Sequence, residues 1–422
     1  MKAAKLSGVL ILLGICVLLF EGMLFFQHIK NMNELVSTPS ESRLRKEAIS
    51  QDEGEAKGVV AAKGVINVGV LLPLSSRALF VGEQTYDGIS LALKDYKNSF
   101  ALKGYKIAVT AEDSEGNPET AKSVVNKFID TDKITFIIGP AMSGVAYNIV
   151  DITNSNKVIL VSPLVAVSAL TKDDYFFRIN LPEQEVLTQQ AEIAVKDLGW
   201  GVIACAYPDN ESHREMVDLF SQKFIEFGGE DVLNCPFEEG TSDFSSYLMG
   251  IKELSPAPEA IFIVSGRALI DIITQMKELD IDMQVYAGPD FENEDIVDTL
   301  GNNAEGIIYT SPSEYVPSID SYEFKSTQDF VSRYKEEYGS EPSLFSALGY
   351  DAASLLYRGL LESIPDFSAD NVKKNLLNLK YRGVTGMIEL DHNGDLTRKL
   401  YLRTVRGGKF VKYTEPEEHI AK

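Results

Sequence analysis

The sequence predicts an α/β protein, two lobes built on doubly wound parallel sheets and carried behind an N-terminal membrane anchor. Three observations predict it. Unbroken apolar runs of strand length end in small or turn-forming residues and lead into segments with helical apolar spacing. That alternation pauses at Asp174-Tyr175-Phe176-Phe177-Arg178-Ile179 and starts afresh, and 422 residues are too many for one core. Leu6 to Phe26 is apolar for about 20 residues, enough to cross a bilayer.

The stretch from Thr135 to Leu170 shows the repeating unit. Thr135-Phe136-Ile137-Ile138 runs into Gly139-Pro140-Ala141-Met142-Ser143-Gly144, then a short polar-faced helix, then Val158-Ile159-Leu160-Val161-Ser162-Pro163-Leu164. Each strand is followed by a turn that suits a helix start, so strand, loop and helix are expected twice. Strands apolar on both faces belong to parallel sheets covered by helices, and ligands bind outside their carboxyl ends, where helix N-termini offer free N–H groups. Gly139 to Ser143 and Ser162 to Ala166 are thus two candidate anion cradles, with ordinary βα turns as the alternative.

In chain order, Val65 to Leu72 reads as a buried strand, Gly82 to Tyr96 as a helix and Tyr105 to Ala111 as a strand. Asn117-Pro118-Glu119 supplies a cap, a proline at the first helical position and an acid in the first turn. Ala121, Val124, Val125, Phe128 and Ile129 then fall on one helix face. After the pause come helix Glu185 to Leu198, strand Val202 to Ala206, helix Glu211 to Phe227, strand Asp231 to Phe237 and helix Phe244 to Leu254. Strand Ala260 to Val264, helix Ala268 to Leu279 and strand Gln284 to Tyr286 follow. Tyr322 to Leu379 is mainly helical, and strands with a hairpin close the chain. Ligand loops at the strand ends of two lobes imply a cleft between them.

Glu21 interrupts the N-terminal apolar stretch at a cost of roughly 3 kcal/mol, whereas each of its many Leu, Ile, Val and Phe residues returns about 0.3–0.6, so insertion wins. No A-x-A-like site follows, and Ile15 precedes Cys16 where a lipobox has a small residue. An uncleaved anchor with Lys2 and Lys5 inside is expected, ahead of a cleaved signal and then a lipoprotein. Residues 31–63 read as a flexible tether. The net charge of -22 leaves no basic footprint for nucleic acid, and a hydrophobic fraction of 45% excludes a mostly disordered chain.

From about Val65 to Val411 the chain resembles the type I periplasmic solute-binding proteins of the leucine/isoleucine/valine-binding kind, receptors of branched-chain amino-acid ABC importers. The resemblance is carried by Ile66-Asn67-Val68-Gly69-Val70-Leu71-Leu72-Pro73-Leu74-Ser75, Gly82-Glu83-Gln84-Thr85-Tyr86-Asp87-Gly88, Glu112-Asp113-Ser114-Glu115-Gly116-Asn117-Pro118, Ile138-Gly139-Pro140, Ser162-Pro163, Phe177-Arg178, Gly288-Pro289-Asp290 and Gly383-Val384-Thr385-Gly386. It implies two Rossmann-like lobes, residues 64–181 with 311–390 and residues 182–310 with 391–413, and a tail over 414–422. It also implies three crossovers near Leu181-Pro182, Tyr309 to Pro312 and Glu389 to His392, and hinge closure around a solute.

The resemblance further implies ligand roles. Ser143 matches a serine that binds an α-carboxylate, Leu164 a position that binds it through the backbone N–H, and Asp290 the acid that pairs with an α-ammonium. Ala166 stands where the family has threonine; Val81, Ser212 and the Gly266-Arg267 pair stand where it commonly has aromatics. Arg267 and His213 are extra polar groups, readers of a polar side chain or solvated helix-start residues. Met142 stands near one place of a first-lobe cysteine pair that is absent here.

Cys205 and Cys235 fall in strands joined through one helix; adjacent parallel strands fit disulfide geometry poorly, so two buried thiols are expected. His28, His213, His392 and His419 are scattered, so no metal is expected, and no phosphate-loop motif calls for a cofactor. No G-x-S-x-G elbow marks a hydrolase. Asp391-His392-Asn393-Gly394-Asp395 has its glycine fourth, not sixth, and reads as a hairpin turn rather than a calcium loop. The expected function is an extracytoplasmic receptor delivering a small solute, an amino acid or related compound, to an ABC permease. A membrane-tethered sensor is the alternative, with an enzyme a distant third.

Overall fold

The computed structural model describes residues 63–170, 172, 174–266, 268–316 and 322–414. The expected anchor, the tether up to Ala62, most of the C-terminal tail and Arg267 lie outside the described residues. None of the described helices is long and apolar enough to cross a membrane.

The first sheet is wholly parallel, with strands β1 (Gly64–Leu72), β2 (Tyr105–Asp113), β3 (Phe136–Ile138), β4 (Ile159–Ser162) and β5 (Phe176–Arg178) in the order β2-β1-β3-β4-β5. Helices α1 (Leu79–Lys103), α2 (Pro118–Asp130) and α3 (Ser143–Ser155) connect them. Asn117 caps α2 as its sequence demands, its Oδ1 accepting from Glu119 N at 2.8 Å and Thr120 N at 3.2 Å. Ala121, Val125 and Phe128 of α2 and Val145, Ala146 and Ile149 of α3 bury against Leu71, Ile137 and Leu160. The apolar spacing legible in the sequence thus becomes one face of the core.

The second sheet orders as β14-β13-β10-β9-β8-β6-β7. Its parallel part comprises β6 (Val202–Pro208), β7 (Asp231–Phe237), β8 (Ala260–Ile263), β9 (Gln284–Ala287) and β10 (Ile308–Ser311). An antiparallel hairpin, β13 (Tyr401–Arg406) and β14 (Lys409–Lys412), extends it. Strand alternation sorts the two faces. Ile203, Cys205, Phe262 and Tyr286 pack on α4 (Glu183–Lys196) and α5 (Glu211–Glu226). Ala204, Ile261, Ile263 and Val285 pack on α6 (Ser245–Lys252), α7 (Leu269–Glu278) and α8 (Glu294–Leu300). Cys205 and Cys235 are both free and buried; Ala206, not Cys205, pairs with Cys235, and burial pushes the Cys235 thiol up to about 11.

The late helices α9 (Lys325–Tyr338), α10 (Leu344–Glu362) and α11 (Ala369–Asn378) return to the first sheet. There α10 lies along α1 and reaches β3 and β4. A Cβ on Gly88 would sit 1.9 Å from Ser346 O, and one on Gly349 would sit 2.3 Å from Thr85 O, so these glycines let the two backbones touch. Asp351 of α10 accepts from Val384 N at 2.8 Å, Thr385 N at 2.8 Å and Thr385 Oγ1 at 2.7 Å, in the turn that joins the hairpin strands β11 (Lys380–Arg382) and β12 (Met387–Glu389). The Gly383-Val384-Thr385-Gly386 motif is therefore a cradle for a buried carboxylate of the chain itself.

Two sequence expectations are corrected. No helix follows β4: Ser162 turns inward, its Oγ donating to Pro140 O at 2.8 Å and accepting from Val165 N at 3.1 Å, and only a short 3-10 turn, Ser168–Leu170, forms. Loop 163–170 instead starts α4, since Glu183 N donates to Ala166 O at 2.8 Å and Gln184 N to Ser168 Oγ at 3.2 Å. Secondly, Tyr309 and Thr310 are sheet residues, because β10 runs through Ser311 and the chain leaves the sheet only at Pro312.

Candidate functional site

The first sheet, and the second from β6 to β10, repeat one strand order in which direction of winding reverses between the first and third strands. A crevice outside the strand carboxyl ends opens at such a reversal. In the second sheet it lies between β6, ending at Pro208, and β8, ending at Ile263, and it holds a cavity of about 970 Å³ lined by Pro208, Val264, Ser265 and Gly266. Glu239 to Ser242 after β7 and Gly288 to Phe291 after β9 form its walls, with Ala166, Asn180, Leu181 and Pro312 of the connecting segments at its edge.

Helix α4 contributes Glu183, Val186, Leu187 and Gln190, one face at helical spacing. Gln190 is almost wholly buried; its Nε2 donates to Thr310 Oγ1 at 2.9 Å, and Tyr286 OH donates to its carbonyl at 3.1 Å. Burial raises the Glu183 carboxyl above its ordinary pKa, Asp290 adds to the rise and His213 opposes it, so these three groups share one electrostatic neighbourhood. His213 Nδ1 lies 2.8 Å from Asn210 Oδ1, the cap of α5, which also accepts His213 N at 3.1 Å. With Nδ1–H donating there, Nε2 is the ring atom left for a solute.

Of the residues singled out in the sequence, Ala166, His213, Gly266 and Asp290 line this cavity. Asp290 is exposed on a 3-10 turn held by the buried Phe291. Ser143, Leu164, Val81 and Ser212 are not among the lining residues. Ser143 is the half-buried first residue of α3, behind Met142 in the cap position, and its side chain does not cap the helix. Leu164 is half-buried, and its carbonyl accepts from Asn180 Nδ2 at 2.9 Å. Val81 lies in the first turn of α1, where its carbonyl accepts from Thr85 Oγ1 at 2.7 Å. Ser212 is exposed on α5, and its neighbour His213 takes the cavity position.

Glu183, Gln190, Glu239 and Asp271 are lining residues that sequence reasoning missed. A signal existed for Gln190, a polar residue set among Leu187, Ala191 and Ala194 on the buried face of α4. Glu183 was indistinguishable from an ordinary acid in a first helical turn. Among the described residues, no group of three His, Cys, Asp or Glu side chains is placed to hold a metal ion.

The connecting segments are clasped to each other. Arg178 at the end of β5 is fully buried, its Nε 2.5 Å from Asp395 Oδ1, and its N–H donates to Gly394 O at 3.1 Å. Asp391 Oδ1 accepts from Asn393 N and Asp395 N, both at 2.9 Å, which makes the calcium-like loop a turn serving this clasp. Arg403 of β13 donates to Ser313 O and Glu314 O, both at 3.0 Å. Beside it both carboxylate oxygens of Glu292 are buried with no hydrogen-bond partner among the described residues, and the Ser311 hydroxyl, which donates to Ser313 O at 3.2 Å, lies near them. Burial lifts the Glu292 pKa to about 7, against the pull of Arg403 and Ser311.

At 24% identity over 353 residues, covering 82% of this chain and 93% of its own, a relative is the Leu/Ile/Val-binding protein BraC3 of Rhizobium johnstonii. The leucine-binding protein LivK of Thermotoga maritima superposes with a TM-score of 0.66 at 25% identity, over 83% of this chain and 98% of that one. LivJ of Streptococcus pneumoniae, solved with isoleucine, gives 0.66 at 23% identity over 82% and 97%. The profile of the family described as periplasmic binding protein matches residues 65–409. By that match, which spans both sheets and the cavity, the chain belongs to the periplasmic binding protein family, a family of solute-binding proteins rather than enzymes.

Proposed function

We propose that this protein is an extracytoplasmic receptor that closes two lobes around an amino acid or related solute and delivers it to an ABC importer. The lobes are residues 64–181 with 311–390, and residues 182–310 with 391–413. One observation carries the reading: the cavity sits at the winding reversal of the second sheet, edged by the connecting segments, with Asp290 on its wall and Ala166 reaching it from the first sheet's loops. The names of the relatives, which carry leucine, isoleucine and valine, support it.

In this reading Ser143 and the Leu164 N–H take the α-carboxylate and Asp290 the α-ammonium, meeting across the cleft on closure; Ala166, Val81, Ser212 and Arg267 surround the rest of the solute. Leu6 to Phe26 anchors the chain with the sheets outside the cytoplasmic membrane. That anchor also favours the second reading, a tethered sensor reporting occupancy to a partner.

Calorimetry with a panel of amino acids and their deaminated counterparts tests the head-group assignment. Asp290→Asn should weaken the bound amino acid by roughly 10–100-fold and the deaminated acid far less, since only the former sets a cation against the lost charge. Equal losses reject it. Small-angle scattering should show contraction with the same ligand, and tight binding without contraction counts against hinge closure.

A further inference from the structure

Four carboxylates, on Glu183, Glu239, Asp271 and Asp290, line the cavity against one imidazole, His213, among the described lining residues. In the head-group assignment Asp290 meets the α-ammonium, which leaves three carboxylates facing the solute's side chain. None of the three has a salt bridge among the described residues. The sharper observation is Gln190. It is 1% exposed, lines the cavity, and spends its Nε2 on Thr310. Its carboxamide oxygen has no hydrogen-bond partner among the described residues, and on a residue that lines the cavity it is left as an acceptor for a solute. An acceptor of this kind, two turns along the same helix face from Glu183, matches a solute group that only donates hydrogen bonds.

We propose that the cleft takes an amino acid whose side chain carries a cation with several N–H donors, of the arginine, lysine or ornithine kind, with Gln190 and Glu183 as specificity-determining residues. The inference rests on the cavity being the solute site. An aliphatic side chain leaves the Gln190 oxygen without a donor and adds no positive charge to the carboxylates, while an acidic one adds repulsion. The rise in the Glu183 pKa, caused by burial and by Asp290, accords with a group that gains from an arriving cation.

Calorimetry on the full chain in mild detergent at pH 7, with L-arginine, L-lysine, L-leucine, L-glutamate and agmatine, tests it. A cationic amino acid should bind about 10-fold tighter than leucine and about 100-fold tighter than glutamate. Glu183→Gln, a change that keeps the side-chain shape in the first turn of α4, should weaken the cationic ligand about 10-fold and leave leucine within about 2-fold; a structural role would weaken both alike. Gln190→Met should erode the same preference, with thermal melting as the check that the variant folds. Leucine or glutamate binding tightest overturns the inference and leaves the head-group assignment standing. Agmatine binding as tightly as arginine keeps the cationic preference and removes the carboxylate half of that assignment, the part given to Ser143 and Leu164. Binding of none of the five overturns both.

Discussion

The first sheet and the β6 to β10 part of the second share one strand order, yet what they hold at their carboxyl ends is opposite. After β3 and β4 the first offers neutral groups, the Ser143 hydroxyl at the start of α3 and the loop that carries Leu164 and Ala166. The second offers Asp290 and Glu239 beside a 970 Å³ cavity. The same contrast runs into the interior. Asp351, behind the first sheet, is buried with three hydrogen bonds, whereas both Glu292 oxygens are buried with none. Repetition of the winding fixes where loops meet; the side chains decide which charge each side presents. Two like-charged sides would repel on closing, and two neutral ones would not orient a zwitterion.

The contrast can be broken most violently at the clasp that both sheets share. Asp395→Ala takes the carboxylate away from the buried Arg178 guanidinium, and should cost roughly 3–5 kcal/mol in urea unfolding. A loss under about 1 kcal/mol would mean the pair is not a joint between the two halves. Asp290→Asn comes next, at roughly 1.5–3 kcal/mol in binding with stability unchanged, since its side chain is exposed.

Glu292 sharpens the comparison through pH. Its folded carboxyl titrates near 7 against an ordinary 4.5, so between those values the folded chain keeps a proton that the unfolded chain has released. Stability therefore falls as pH rises from about 4.5 to about 7 and stays lower above. Glu292→Gln should be more stable than the parent by on the order of 1–2 kcal/mol at pH 8, and equal to it at pH 4.5, by chemical unfolding. A pH-independent difference would locate the effect elsewhere. The smallest effect is expected at Ser143→Ala: about 0.5–1.5 kcal/mol in binding, alike for an amino acid and its deaminated acid, and almost none in stability because the hydroxyl caps nothing. Ser143→Ala that mimics Asp290→Asn would erase the distinction between the two sides.

Much of the fold was legible because helical and strand periods survive burial. The α2 stripe of Ala121, Val125 and Phe128, and β7 from Asp231 to Phe237, lie where the pattern puts them. The helix expected after β4 was not legible, because Ser162 is spent on Pro140 and loop 163–170 caps α4, a contact with a distant segment that local pattern cannot show. The motif glycines were visible but their reasons were not: Gly88 permits a helix contact, and Gly383 lies beside Asp351, where a Cβ would come within 2.6 Å of its Oδ1. At the cavity, Asp290 was readable from its turn. Glu183 and Glu239 were not, since an acid at a helix start or in a loop carries no mark of facing a cavity.

The contact between α1 and α10 sets the order in which this chain can mature. The partner that covers α1 is synthesised only after the whole parallel part of the second sheet, and it completes the first core by fitting Gly88 to Ser346 and Gly349 to Thr85. Until Leu344 and its neighbours have emerged, the first sheet lacks one of its helical layers and stays unfinished, whatever the second sheet has done. A chain ending at Ser343 should therefore bind hydrophobic dyes and be cut rapidly by protease within residues 79–103, where the full chain resists.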